Sequence, residues 1–217
     1  MKPSATDRRR LAFTLIEVLI VLAVLITAAM VFLPTIMRPR RVAGPRINCV
    51  NNLKMVGLSY KVWELDNGER FPFDVPVAEG GAKEAAAAGN PALVFEVMSN
   101  ELSTPKILVC MQDRKRVAAT NFLALRSTNI SYFVGLDATN TAPSAFISGD
   151  RNLTNAGGVS GGVLLASTND PVSWTVALHQ NCGNIGLADG SVQQFSTVRL
   201  REAIANTGFP TNRLLMP

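Results

Sequence analysis

The sequence predicts an α+β fold: one long N-terminal helix packed on a mostly antiparallel sheet. Three observations carry that expectation. Residues 11–33 form an apolar run interrupted by a single charge, Glu17. Cys49, Leu53, Val56, Tyr60 and Trp63 recur at alternating intervals of four and three, which sets them on one helical face. Beyond residue 100 the pattern changes to short β-rich runs separated by turn residues.

The first element is "RRRLAFTLIEVLIVLAVLITAAMVFLP", residues 8–34. As a helix, its apolar part spans roughly 35 Å at about 1.5 Å per residue, enough to cross a hydrocarbon core of about 30 Å. Pro34, Pro39 and Pro45 predict a kinked or interrupted helix between 34 and 46. Arg38, Arg40, Arg41 and Arg46 form a collar there that faces solvent or lipid headgroups.

The helix resumes near Ile47 and stops at the turn Asp66-Asn67-Gly68. Its apolar stripe is expected to pack on the rest of the chain, with Asn51, Asn52, Lys54, Lys61 and Glu64 mostly on the other face. Pro91 to Leu102 suits a short helix. Strands are expected at 106–110 ("KILVC"), 130–136, 161–167 and 174–178 ("WTVAL"). Residues 184–196 read as a hairpin turning at Asp189-Gly190, because a tight hairpin needs positive φ at its turn positions. Residues 198–208 read as a terminal helix stopped by Gly208.

Composition narrows the function classes. The chain has 217 residues and a formal charge of +5. Lys2, Arg8, Arg9 and Arg10 precede the apolar run with only Asp7 against them, so most of the excess sits in the first twelve residues. No basic patch with interleaved aromatics follows, and nucleic acid is not expected as a partner. Three cysteines permit one disulfide. Cys49 lies on the helical stripe as a small hydrophobe, which leaves Cys110 with Cys182 as the expected pair.

The apolar run admits three readings: a plain anchor, a secretory signal ending near Thr27-Ala28-Ala29, or a helix retained after removal of a short leader. Glu17 discriminates among them. A carboxylate at membrane depth costs about 3 kcal/mol even on lenient scales, and an anchor or signal gains nothing from it. Cleavage before Phe13 would create an α-amine four residues from Glu17. That amine is cationic at neutral pH and would attract the carboxylate strongly in a low-dielectric setting.

"AFTLIEVLIVLAVLITAAMVFLP" resembles the N-terminus of type IV pilins and type II secretion pseudopilins. The resemblance implies cleavage between Ala12 and Phe13 by a prepilin peptidase and N-methylation of Phe13. Ala12 stands where the family usually has Gly. The resemblance further implies that Glu17 meets the Phe13 amine of a neighbouring subunit and guides assembly. It implies a pilin-like fold with a leader at 1–12 and a transmembrane or filament-core helix at 13–33. A kinked continuation at 34–68 and a globular domain at 69–217 complete the organisation. Expected partners are other pilin or pseudopilin subunits, the prepilin peptidase, an inner-membrane assembly platform and membrane lipid. The expected location is the inner membrane, single-pass, with the C-terminal domain periplasmic and the filament in the periplasm or at the cell surface.

"CVNNLKMVGLSYKVWELDNGERFP", "VCMQD" and "HQNCGNIGLADGSV" resemble a pilin-like family of planctomycetes and verrucomicrobia. Its C-terminal motif, His, nine residues, Asp-Gly, falls here on His179, Asp189 and Gly190.

Enzyme chemistry is not expected. His179 is the only histidine, and no G-x-S-x-G elbow accompanies it. Its expected role is to pin a loop or the hairpin. Asp150 and Asp189, with Asp170, Asn152 and Asn181, are weak calcium candidates, since calcium takes six to eight oxygens and their spacing matches no EF-hand. No cofactor is expected. The leading expectation is a non-enzymatic filament subunit; the alternative is a membrane-tethered or signal-peptide-secreted binding domain without filament assembly.

Overall fold

The computed structural model describes residues 14–36 and 43–217, with side chains described for 14–31 and 47–217. Ala12, Phe13 and the segment around Arg38, Arg40 and Arg41 lie outside the described residues. The chain divides into two compact units, one ending at Arg41 and one starting at Val42.

The first unit contains α1, Leu15–Ile36. Glu17 is its one ionisable residue, and its described side chains are exposed on every side except at Ala28. A helix that is apolar all round needs lipid or protein around it. Among the described residues no helix is long and apolar enough to cross a membrane. The part of α1 with described side chains, 15–31, measures roughly 26 Å, and residues 32–36 extend the helix to roughly 33 Å, so the span turns on those last residues.

The second unit opens with α2, Ala43–Asp66. Pro45 falls in its first turn, where a missing N–H breaks no helical hydrogen bond. The predicted stripe is its buried face: Cys49, Leu53, Val56, Tyr60 and Trp63 are all in the core. Glu64 departs from expectation. It is buried beside that stripe and takes a 2.8 Å ion pair from Lys61 one turn away.

Three short helices follow, α3 (Lys83–Ala87), α4 (Pro91–Glu96) and α5 (Ser99–Leu102). The strands are β1 (Tyr132–Gly135), β2 (Phe146–Asp150), β3 (Leu153–Thr154), β4 (Val159–Ser160), β5 (Val163–Ser167), β6 (Ser173–Trp174), β7 (Cys182–Leu187), β8 (Val192–Ser196) and β9 (Thr211–Leu215). Helix α6 (Thr197–Asn206) lies between β8 and β9. Seven strands form one sheet in the order β4-β5-β9-β1-β2-β7-β8, and β3 pairs with β6 separately. Every pairing is antiparallel. The fold class is therefore α+β, with a mostly antiparallel sheet and an N-terminal helix.

Side chains alternate across a strand, and the core splits accordingly. Val134, Ile147 and Leu215 point into a core shared with α2, while their neighbours Phe133, Phe146 and Leu214 join Leu200 and Ile204 of α6. The unit is thus three layers deep, with α2 lying against β2, β7 and β8. Tyr60 anchors the first core, its ring 6.0 Å from Phe71 and 6.2 Å from Phe95.

Three expectations are corrected. Residues 106–110 are not a strand. Pro105 sets a 3-10 turn over Pro105–Leu108, capped by the Thr104 hydroxyl, which leaves Ile107, Leu108 and Cys110 buried without sheet pairing. Of 174–178 only Trp174 is in a strand, and 176–179 form a turn. Helix α6 is not terminal, because β9 returns after Gly208 and inserts between β5 and β1. The hairpin at 184–196 and the strands within 130–136 and 161–167 stand as expected.

Candidate functional site

Two sites hold the residues singled out by the sequence, one in each unit. At the start of α1, Glu17 folds back on Thr14. Its Oε2 accepts from the Thr14 backbone N–H at 2.9 Å and from the Thr14 hydroxyl at 3.0 Å. The Glu17 N–H in turn donates to Thr14 Oγ1 at 3.4 Å. This is a reciprocal capping box, in which residue three of the helix satisfies the cap and the cap satisfies residue three. Thr-x-x-Glu ahead of an apolar run is legible in sequence, and it gives Glu17 a role within its own chain.

The second site is a buried polar pocket where α2, β2, β7 and the strap 105–110 meet. Cys49 of α2 and Cys110 of the strap are disulfide-bonded, with Cα atoms 5.2 Å apart. This corrects the expected Cys110–Cys182 pairing. The strap crosses the N-terminal half of α2, held by Asn52, whose Nδ2 donates to the Val109 carbonyl at 3.2 Å. That crossing places Cys110 over the buried stripe, and Cys182 remains a free, half-buried thiol at the start of β7.

His179 stands against the disulfide. Its Nε2 is 3.4 Å from Cys110 Sγ and 3.3 Å from Asp150 Oδ2, and the His179 and Asp150 side chains are both fully buried. Asp150 ends β2. Its Oδ2 also accepts from the Asn184 backbone N–H at 2.6 Å and from Asn184 Nδ2 at 2.9 Å. Asn152 ties the same corner, its Nδ2 donating to the carbonyls of Thr175 and Cys182 at 3.0 and 3.1 Å. Tyr132 of β1 borders the pocket, and burial together with the Asp150 charge drives its hydroxyl well above the usual phenol range.

The backbone after His179 explains how the ring reaches inward. Gln180 and Asn181 both take left-handed conformations, with φ of 55° and 61°. Each such non-glycine residue costs of order 1 kcal/mol, so the surrounding contacts must hold the turn. The two residues reverse the chain from the 176–179 turn into β7.

The His-x9-Asp-Gly spacing now has a geometric meaning. His179 precedes β7 and Asp189-Gly190 follows it, so the motif brackets one strand of roughly 20 Å. The two ends do not meet. Asp189 caps its own turn by accepting from the Ser191 N–H at 2.8 Å, and Gly190 has the φ of 84° that the turn requires. Gly190 sits against Gly57 of α2, where a Cβ at position 57 would lie 3.9 Å from its backbone. The motif therefore fixes β7 at both ends, one end to the disulfide and the other to α2.

The weak calcium candidates are not drawn together. Asp150 is buried with His179 and Asn184, Asp189 is exposed in its turn, and Asp170 accepts from Asn155 at 2.8 Å. Among the described residues the one His/Cys/Asp/Glu group close enough to share an ion is Cys49, Cys110 and His179, whose ligand atoms lie within 4.8 Å of one another. A groove of about 400 Å³ lies elsewhere, between β8 and α6, lined by Phe146, Gln194, Phe195, Arg199 and Glu202. No family model, curated protein or solved structure matches this chain.

Asp113 supports the pocket from outside. Burial pushes its carboxyl up, but the Arg151 hydrogen bonds and charge, the Ser131 hydroxyl and the Lys115 N–H outweigh that and hold it below the usual carboxylate range. Arg151 engages both carboxylate oxygens, at 2.6 and 2.8 Å. The pair fastens the strap beyond Cys110 to the residue that follows β2.

Proposed function

We propose that this chain is a non-enzymatic, pilin-like structural subunit, processed before Phe13 and assembled into a filament through α1. The observation that carries the reading is a helix apolar on every side whose one ionisable group, Glu17, sits in the first turn. Such a surface is stable only when covered by lipid or by other helices. Cleavage after Ala12 would add the Phe13 amine beside Glu17. A neighbour's amine would then compete for a carboxylate that now serves its own cap. The membrane would be the reservoir and the filament the destination, with Glu17 setting the register between neighbours.

The capping box favours a second reading, a membrane-tethered domain in which Glu17 only starts the helix. Glu17→Gln separates the two, because a glutamine completes a capping box as well as a glutamate does but carries no charge. The filament reading expects normal membrane insertion and folding of Glu17→Gln with loss of sheared filaments. Filaments at wild-type yield from that variant would overturn it. Mass spectrometry of the mature chain supplies the companion measurement: the filament reading requires a methylated Phe13 terminus, and an intact Met1 or a start near Ala29 counts against it.

A further inference from the structure

We infer that the dithiol form of Cys49 and Cys110, with His179, supplies three ligands of a tetrahedral site for a thiophilic divalent cation such as Zn²⁺.

The geometry carries this. A tetrahedral ion takes thiolates at about 2.3 Å and imidazole at about 2.0–2.1 Å, which sets an S···N edge of about 3.5 Å. His179 Nε2 lies 3.4 Å from Cys110 Sγ and 3.3 Å from Asp150 Oδ2. One edge of the polyhedron is thus already in place, and the ligand atoms of Cys49, Cys110 and His179 all lie within 4.8 Å of one another. The adjustment required is between the sulfurs, whose tetrahedral edge is about 3.8 Å against a covalent bond of about 2.05 Å.

The surroundings suit an ion. Asp150 Oδ2 stands beside the imidazole and is itself held by two hydrogen bonds from Asn184, so it borders the ligand set as a neighbouring acceptor. Its second oxygen, Oδ1, is buried without a protein hydrogen bond, as are Oδ1 of Asn152 and Oδ1 of Asn184 at the same corner. The ligands come from α2, the strap and the turn before β7, so an ion would cross-link the elements that the disulfide joins and one more. Charge balances as well. A divalent cation with two thiolates adds no net charge to a fully buried pocket.

The chemistry is explicit. A dithiol reductant gives two electrons and two protons to the S–S bond, leaving two thiols and a disulfide product. Binding of the cation then releases the two thiol protons. A disulfide oxidant reverses the sequence: it takes up two electrons and two protons to become a dithiol, the S–S bond re-forms and the ion is released. The pocket thus holds one crosslink or the other, set by redox state.

Cobalt(II) tests it, because thiolate ligation gives near-ultraviolet charge-transfer bands and tetrahedral geometry gives intense red d–d bands. The full chain in detergent is reduced with a phosphine, desalted without oxygen and titrated with Co²⁺, folding being followed by circular dichroism. Expected are both bands at one Co²⁺ per reduced chain, neither from the oxidised chain, and displacement by Zn²⁺. Cys182→Ser leaves the bands unchanged. His179→Gln weakens Co²⁺ binding at least tenfold and shifts the d–d spectrum. If reduction unfolds the chain, Co²⁺ restores the native dichroism. Absence of thiolate bands from reduced wild type, failure of Co²⁺ to restore a reduction-unfolded chain, or bands lost in Cys182→Ser would each overturn the site.

Discussion

Removing the Cys49–Cys110 bond by the double change Cys49→Ala and Cys110→Ala should destabilise the second unit more than any other change to the cysteines. The two residues are 61 positions apart in sequence, so the bond closes a long loop in the unfolded chain. On the chain-entropy account, a ring of that length is worth about 4 kcal/mol at room temperature. With a urea dependence of about 2 kcal/mol per molar, the unfolding midpoint falls by roughly 2 M. Fluorescence is the assay, since Trp63 and Trp174, the only tryptophans, are both buried in this unit and report nothing of α1. Cys182→Ala, which removes a half-buried free thiol, is the control and should cost under about 1 kcal/mol. A loss below about 1 kcal/mol in the double variant would refute the reasoning, because it would mean that the bond does not constrain the unfolded chain.

Further outcomes follow from the same structure. Arg151→Met leaves the buried Asp113 carboxylate without its main partner and should cost about 2–3 kcal/mol at neutral pH. Because the folded-state pKa of Asp113 is depressed, its contribution is full above the unfolded value of about 3.9 and is lost as pH falls through the lower folded value. Urea midpoints of wild type and Arg151→Met should therefore converge below about pH 4, and a gap that widens in acid would contradict the assignment. Gly183→Ala should cost about 3 kcal/mol by thermal or urea unfolding, since its Cβ would enter the Trp174 ring of β6. Glu17→Gln should separate filament formation from membrane insertion, as set out above.

Much of the scaffold was readable because it is local. The stripe Cys49–Trp63 follows from helical periodicity, and its residues are buried as the spacing requires. The turn falls at Asp189-Gly190 as the sequence suggests, although only Gly190 takes the positive φ expected of both positions. The misreadings have one local cause and two that lie in the packing. "KILVC" has β-like composition, yet Pro105 and the Thr104 cap commit it to a 3-10 turn. "FISGD" and "TNRLL" are central strands too short and mixed to announce themselves, and they acquire strand character from neighbours on both sides. Glu64 reads as a solvated face residue because its partner, Lys61, and the bulk that covers it are features of packing.

The polar pocket was legible only in part. His179 stood out as the single histidine, and Asp150 as one of several acids, but nothing in their spacing joins them. They are 29 positions apart in a chain that reverses several times between.

The sequence by itself determined where α1 and α2 lie, which face of α2 is apolar, and that the hairpin turns at Asp189-Gly190, because each depends on residues within a few positions of one another. The tertiary structure alone decided the partner of Cys110, the insertion of β9 between β5 and β1, and the convergence of Cys49, Cys110, Asp150 and His179. Each of those is a contact between distant segments, and its energy exists only once α2, the strap and the sheet have packed together.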